Sequence, residues 1–400
     1  MRVLHVVPAV AARYGGPSAA TFGMCRALES AGIETMVATT DADGPGRLPV
    51  PLSQVHQYNG ASVIFFPRRL TESYKWAAGL GAWLRAHVAE FDVVHVHAVF
   101  SHSSLLAARA CVRAGVPYIV RPLGTLDPWS VAQRRLLKAV LLRFGVRRML
   151  LGAAAIHYTS EEEMRLAETV VAGLPKGAVV PLGIDEELFA APTTWPDDET
   201  PIVLALCRLD VKKGLDLLIR AFHDAAGRGS NGQWRLVIAG DGEPEYVSQL
   251  VDLARQGEAG ARISFAGWVG QHDKTILFQR ASLFALPSQQ ENFGISIVEA
   301  MACGVPVLVS PGVNLAADIA LRGAGWLMQR DQASVTEALK MAMSDAAGRE
   351  TRGRAARQFA QPFRWTAVAR SLEQLYRTAA TARQTTLPRK LQSVREPATH

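Results

Sequence analysis

Ser288-Gln289-Gln290-Glu291-Asn292-Phe293-Gly294-Ile295-Ser296-Ile297-Val298-Glu299-Ala300-Met301-Ala302-Cys303-Gly304-Val305-Pro306-Val307 follows a short apolar run, Leu283–Leu286, that stops at Pro287. The polar residues after Pro287 read as a loop, Gly294 as a sharp bend and Ile295 to Cys303 as one short helix. Gly304 is placed to end that helix in the left-handed conformation, and Val305-Pro306-Val307-Leu308-Val309 reads as a buried strand. Strand, loop, helix and strand make a βαβ unit, and open α/β sheets bind ligands at the carboxyl ends of their strands. Glu291 and Glu299 are separated by roughly 12 Å along a helix axis. That exceeds the roughly 5–10 Å of an acid/base pair working on one bond. The spacing suits two polar ends of an elongated ligand, with the helix N-terminus facing an anion between them.

The chain has 400 residues, 49% hydrophobic and 20% charged, with a formal net charge of +7. This length exceeds one ordinary core and predicts two domains. No apolar run reaches the length of a membrane span, and Met1–Pro8 is too short for a signal peptide, so the chain is expected in the cytoplasm. Cys25, Cys111, Cys207 and Cys303 lack paired spacing and read as free thiols. The positive charge favours a phosphorylated ligand or an anionic membrane; no nucleic-acid motif accompanies it.

In the first half, Arg2–Val7 reads as a strand leading through Gly15-Gly16-Pro17 into a helix that ends at Ala31-Gly32. Further strands are predicted at Glu34–Thr39, Ser62–Phe66, Asp92–His97, Pro117–Arg121, Ala153–Thr159 and Ala178–Pro181. Seven strands with intervening helices predict a doubly wound parallel sheet. His95 and His97 are taken to alternate across the strand onto opposite faces, which would exclude joint metal ligation. His97, with Ser101, His102 and Ser103 in the next loop, could then line an acceptor pocket; for His102 and Ser103 a polar helix start is the competing reading. Asp41-Ala42-Asp43 reads as a turn, and no metal cluster is evident. Gln133 to Leu151 reads as one helix with Leu136, Leu137, Val140, Leu141 and Phe144 on one side. Arg134, Arg135, Lys138, Arg143, Arg147 and Arg148 lie opposite or flanking. That pattern fits either packing onto the core with a solvated basic face or lying on an anionic bilayer. Ser160-Glu161-Glu162-Glu163 is a capping box, and its glutamates are given no chemistry.

Ala190–Pro201 has linker composition, and Ile202–Cys207 starts a second sheet. Arg208 and Lys213 occupy the following strand-to-helix loop, where a fork and a point charge can converge on one anion; Lys212 is read as solvated. Gly240 and Asp241 end the strand Leu236–Ala239 in a glycine turn that would permit close approach of a ligand, Asp241 being either near that ligand or a turn former only. Trp268 and Val269 follow the strand near Ile263.

The pattern Ser-x-x-Glu-x-Phe-Gly-x-x-x-x-Glu-Ala-x-Ala-x-Gly-x-Pro-Val resembles the signature of glycosyltransferase family 4, retaining enzymes of the GT-B fold. Arg208-Leu209-x-x-x-Lys213-Gly214 is similar to the family's diphosphate-binding loop, and Gly15-Gly16 to its glycine loop beside sugar and acceptor. The resemblance implies an α/β architecture of two facing doubly wound Rossmann-like domains with a nucleotide-sugar site in the cleft. The domains expected are 1–190 for the acceptor and 200–362 for the donor. A terminal helix over 363–378 would return to the first domain, and 379–400 would form a flexible tail. Glu291 is implied to bind donor-sugar hydroxyls, Glu299 the ribose diol, and the amides of Asn292, Phe293 and Gly294 the sugar and phosphate. Arg208 and Lys213 would neutralise the leaving diphosphate, and Trp268 and Val269 would face the base. The implied route is front-face, the leaving phosphate taking the acceptor proton, with no cofactor and no metal. Many members carry a histidine where Leu123 stands; either a neighbour such as Thr125 or Asp127 substitutes for it, or the backbone supplies the contact. The implied acceptor is a glycan, lipid-linked at the inner membrane, in bacterial exopolysaccharide or lipopolysaccharide assembly. An epimerase with two similar domains and a non-catalytic donor-binding protein are the rival readings.

Overall fold

The structure, a computed structural model, describes residues 1–70, 72, 74–190, 200–227 and 231–386. Most of the expected linker, 191–199, lies outside the described residues. The chain divides into two compact units, Met1–Gly183 with Trp365–His400, and Ile184–Arg364.

Among the described residues, the main sheet of the first unit has eight strands: β1 (Arg2–Val6), β2 (Glu34–Thr40), β3 (Val55–Tyr58), β4 (Ala61–Phe66), β5 (Val93–His97), β6 (Tyr118–Arg121), β7 (Ala155–Tyr158) and β8 (Gly177–Val179). They lie in the order β8-β7-β6-β5-β1-β2-β4-β3. All neighbours are parallel except β3 and β4, which form an antiparallel hairpin at one edge. The expectation of a wholly parallel sheet of seven strands is corrected by β3. Its residues alternate in exposure and carry no apolar run, so only the Asn59-Gly60 turn, with both φ positive, marks it. The Asp41–Asp43 turn is likewise part of a small hairpin, Ala42–Asp43 against Gly46–Arg47.

Central strands buried on both faces read as continuous apolar runs. Along β5, Val94 and Val96 pack into one core with Leu4, Val6 and Val120. Val93 joins the opposite core with Val3, Met24, Ile119, Leu372 and Tyr376. The last three of these come from β6 and from the terminal helix Trp365–Thr386, which packs on this unit. That helix continues past the expected limit of Thr378. Ala379 is buried in the same core, so the tail does not begin there, while 387–400 lie outside the described residues. Burying a side chain such as Leu372 is worth about 1.5–3 kcal/mol and a single methyl such as that of Ala379 about 0.8 kcal/mol, so the helix is held chiefly by the larger residues before Ala379.

The second unit holds β9 (Ile202–Leu206), β10 (Arg235–Ala239), β11 (Ile263–Gly267), β12 (Leu283–Leu286), β13 (Val307–Val309) and β14 (Gly325–Leu327). Their order, β11-β10-β9-β12-β13-β14, is all parallel. The strand order reverses between β9 and β12, the place where open α/β sheets form a ligand crevice at the carboxyl ends of their strands. The helix Leu215–Ala225 buries Leu215, Leu218, Ile219 and Phe222 against this sheet, fixing the first of those loops. Pro306 confines the strand after the opening motif to Val307–Val309, shorter than the sequence pattern, because it supplies no N–H to a ladder.

Candidate functional site

At the reversal point two loops meet. The one leaving β9 turns at Asp210, whose carboxylate accepts the Lys212 amide at 3.1 Å and starts a single 3-10 turn, Val211–Lys213. Gly214 ends that turn at φ +67, and a Cβ there would lie 2.5 Å from the Pro287 carbonyl oxygen. Glycine is thus required on two counts, conformation and approach to the loop leaving β12. The Gln289 amide donates to the Lys212 carbonyl at 2.7 Å, tying the loops together.

The β12 loop is latched from its other side. The Glu291 amide donates to Gly312 O at 2.8 Å, and the Asn314 amide donates to Glu291 O at 3.0 Å. Gly294, at φ +74, starts the helix Ile295–Ala302, and Phe293 is buried beneath it. This framework brings Lys213 and Glu291, 78 positions apart, into direct contact between Nζ and Oε2. Lys213 is buried, and its Glu291 partner keeps more exposure.

Arg208 joins only in part. Its side chain is 62% exposed and lies 3.6 Å from Asp210. Lys212 is half-buried rather than solvated, and burial and the neighbouring Lys213 charge both depress its pKa. Glu299 is buried on the helix after Gly294 and accepts from Lys274 Nζ at 2.5 Å. Burial pushes its carboxyl pKa up and the Lys274 charge opposes that, with Asp185 adding to the upward push. Lys274 carries no local sequence signal: it sits on the helix Gln271–Arg280, and its pairing spans 25 positions.

Gly240 has a different cause from ligand approach. At φ +133 its missing Cβ would lie 1.8 Å from the Cys207 carbonyl, so the glycine serves the meeting of β10 with the end of β9. The Asp241 carboxylate accepts the Gly242 amide at 2.8 Å as a turn former. Trp268, beside Val269, is 75% exposed.

In the first unit Gly15 adopts φ +69 before the helix Gly16–Ser30, and a Cβ there would meet nothing, leaving bare backbone facing open space. Thr125 and Asp127 are committed locally. Thr125 Oγ1 donates to Pro122 O at 2.6 Å, and Asp127 caps the helix Pro128–Ala132 through the amides of Trp129 and Ser130. Leu123 itself stands at φ +58, held by Glu163, whose Oε1 accepts the Gly124 amide at 2.7 Å and whose Oε2 accepts from Thr159. Glu163 is therefore a buried brace for the loop after β6, not a surface helix-end charge. Ser101 does cap the helix His102–Ala114, and His102 stacks on Trp76 at 3.8 Å.

The placement of His95 and His97 on opposite faces is corrected: side chains two positions apart on a strand share a face. His5, His95, His97 and His157 form one buried layer, so His97 lines no open pocket. The Val180 carbonyl accepts from His157 Nε2 at 2.7 Å, which leaves His157 Nδ1 to accept from His95 Nε2 at 3.1 Å. His95 Nδ1 then accepts the Tyr376 hydroxyl at 2.8 Å. His5 Nδ1 lies 3.0 Å from His97 Nε2. Nitrogens of His5, His95 and His97 come within 4.8 Å of one another, as metal ligands would. Both nitrogens of His95 are already engaged, however, and the Arg121 cation lies beside the layer. Arg121 is fully buried and its guanidinium has no hydrogen-bond partner among the described residues; burial lowers its pKa to about 10. Burial, then the Arg121 charge, holds His5 and His157 at about 3, and burial first of all pushes His95 and His97 well down.

Residues 190–359 match the family described as Glycosyl transferases group 1, and residues 15–183 the Glycosyl transferase 4-like domain. The GDP-mannose:cellobiosyl-diphosphopolyprenol alpha-mannosyltransferase of Xanthomonas campestris is 27% identical over 393 residues, covering 96% of this chain and 98% of the relative. The sucrose-phosphate synthase structure from Thermosynechococcus elongatus matches with TM-score 0.75 at 21% identity, over 96% of this chain and 100% of that one. HepE of Anabaena, solved with UDP and glucose, matches with TM-score 0.73 at 21% identity, over 94% and 100%. These two solved structures share the fold, that of GT-B glycosyltransferases with two Rossmann-like domains.

Proposed function

Because the chain belongs to the group 1 glycosyl transferases with a glycosyl transferase 4-like first domain, we propose that it moves a hexose from a GDP- or UDP-sugar to a lipid-linked glycan, retaining the anomeric configuration. The observation that carries this reading is the Lys213–Glu291 contact at the point where the strand order of the second sheet reverses. An ammonium and a carboxylate side by side suit a ligand with a diphosphate next to a polyhydroxylated ring.

Lys213 takes up charge as it grows on the leaving diphosphate, and Arg208 swings from Asp210 to share it. Such preplaced charge lowers the barrier because it is worth more in the transition state than in the ground state. Glu291 accepts from sugar hydroxyls and the amides after it, with the helix N-terminus, hold phosphate and sugar. Glu299 receives the ribose diol as an ionised acceptor, which Lys274 keeps available against its burial. Trp268 and Val269 lie towards the base. Neutralisation by side chains makes a metal unnecessary in this scheme, and the leaving phosphate itself takes the acceptor proton.

The Xanthomonas relative is named for a diphosphopolyprenol-linked acceptor. By analogy the acceptor here is a glycan on a lipid carrier, the role surface-polysaccharide assembly, and the place of work the inner face of the cytoplasmic membrane. No helix among the described residues is long and apolar enough to cross a membrane, so peripheral attachment is the form proposed. Transfer assays with a panel of GDP- and UDP-sugars and a polyprenol-diphosphate glycan, with product configuration read by NMR, test it; an inverted product contradicts the retaining route.

Lys274→Met should raise the donor Kd about tenfold, the scale of one charge-assisted contact of about 1.4 kcal/mol, while kcat at saturation changes little. Lys274→Arg should restore most of the affinity. A drop in kcat with unchanged Kd would remove Lys274 from this role.

A further inference from the structure

We propose that residues 134–151 of the first unit dock onto a bilayer containing anionic phospholipid, with a phosphate headgroup seated among Arg143, Arg147 and Arg148. This deepens the lipid-linked acceptor reading, on which its functional sense rests. The segment is not the single helix its sequence pattern suggests. It runs as a helix Arg135–Leu141, a wider turn Leu142–Val146 broken at Gly145, and a helix Arg147–Leu151. Of its apolar side only Leu141 packs in part on the core, beside Leu142. Leu136 is 84% exposed, Leu137 53%, Val140 51% and Phe144 74%, whereas Val146, Met149 and Leu150 are buried and anchor the segment from beneath. Three large apolar side chains on the helix Arg135–Leu141 and a fourth, Phe144, on the wider turn after it are left in water, a patch of the kind that marks a contact surface.

Charge selects the occupant. Between Asp127 and Glu161 the sequence has no acidic residue, while Arg134, Arg135, Arg143, Arg147 and Arg148 are all exposed. Lys138 is turned inward, its ammonium donating to Ser130 O at 2.6 Å and lying over the Phe100 ring. A protein partner or second copy would have to cover both the apolar side chains and these exposed arginines, which form no ion pair among the described residues. A bilayer offers hydrocarbon and phosphate at adjacent depths, which is the arrangement this segment presents. The break at Gly145 redirects the chain so that Arg143, Arg147 and Arg148, with Leu151 and Gly152, line an open cleft of about 420 Å³. Guanidinium groups bind phosphate oxygens bidentately, and one phosphodiester headgroup fits that space.

Sedimentation of the full chain with phosphatidylglycerol/phosphatidylcholine vesicles and with pure phosphatidylcholine vesicles tests the proposal. Binding is expected to the anionic vesicles alone and to fall at least tenfold in 0.5 M salt. Leu136→Ser with Phe144→Ser, and separately Arg143→Ser with Arg147→Ser, should each lower the bound fraction at least tenfold. No binding by the unmodified chain overturns the proposal, as does equal binding by the variants, equal binding to neutral vesicles, or a dimer that Phe144→Ser dissolves. UDP and GDP thermal shifts run in parallel keep the two readings apart. Lost vesicle binding with intact nucleotide shifts sinks only the docking surface, and absent nucleotide shifts with intact vesicle binding sink only the donor site.

Discussion

Lys213→Ala is expected to lower turnover by roughly 10²–10³-fold, the loss typical when one preplaced charge donor to a transition state is removed. The variant should remain folded. Lys213 ends in a crevice, and its partner Glu291 keeps a side-chain exposure of 20%, so water can solvate the carboxylate left behind. Glu291→Gln should lose a similar factor by giving up the charge that orients Lys213 and accepts sugar hydroxyls. Because the two groups touch, their effects should not add: the double variant should be barely worse than the poorer single one. Circular dichroism and thermal denaturation control for folding. A folded Lys213→Ala enzyme with unchanged kcat would remove this pair from the chemistry.

The second large effect is a loss of stability in mild acid. His5, His95, His97 and His157 are buried as neutral rings, with folded-state pKa values far below the unfolded 6.5. Protons therefore bind preferentially to the unfolded chain between about pH 6.5 and 3. Stability is complete above pH 6.5 and falls as pH drops through that window. By pH 5.5 each ring should cost on the order of 1 kcal/mol, so the four together make a loss of several kcal/mol, a large share of the stability of an ordinary domain. The groups facing this layer are Arg121, whose cation makes protonation still harder, and Tyr376 from the terminal helix. Urea denaturation at pH 7.5, 6.5 and 5.5 should show the first unit's midpoint dropping steeply. His5→Gln, which removes one titrating ring, should flatten the slope, and a midpoint constant across this range would contradict the neutral layer.

How much of this was legible beforehand depended on the range of each interaction. The motif from Ser288 to Val307 carries its own bend, helix and stop, so its geometry followed from local rules and Gly294 and Gly304 stand where they were expected. Arg208 and Lys213 were readable as a strand-to-helix loop, although Arg208 turns to Asp210 and solvent in this structure. Lys274 was not readable, because what selects it is a buried carboxylate on another helix. The same holds for Glu163, whose capping-box position concealed its reach to Gly124. The histidine layer was misplaced by an error of period, since residues two apart on a strand share a face. Leu136 and Phe144 show the remaining gap: an apolar stripe in sequence does not say whether the core or another surface covers it, and here exposure decided.

The central claim, that the crevice at Lys213 and Glu291 holds a nucleotide-sugar donor, is tested most directly by thermal denaturation across a panel of GDP- and UDP-sugars. A ligand that binds only the folded state at about a hundred times its Kd adds about 2.7 kcal/mol. At least one donor should therefore raise the Tm of the unmodified chain by several degrees while leaving Lys213→Ala unmoved. A panel that shifts neither protein, or one that shifts Lys213→Ala as much as the unmodified chain, would contradict the account.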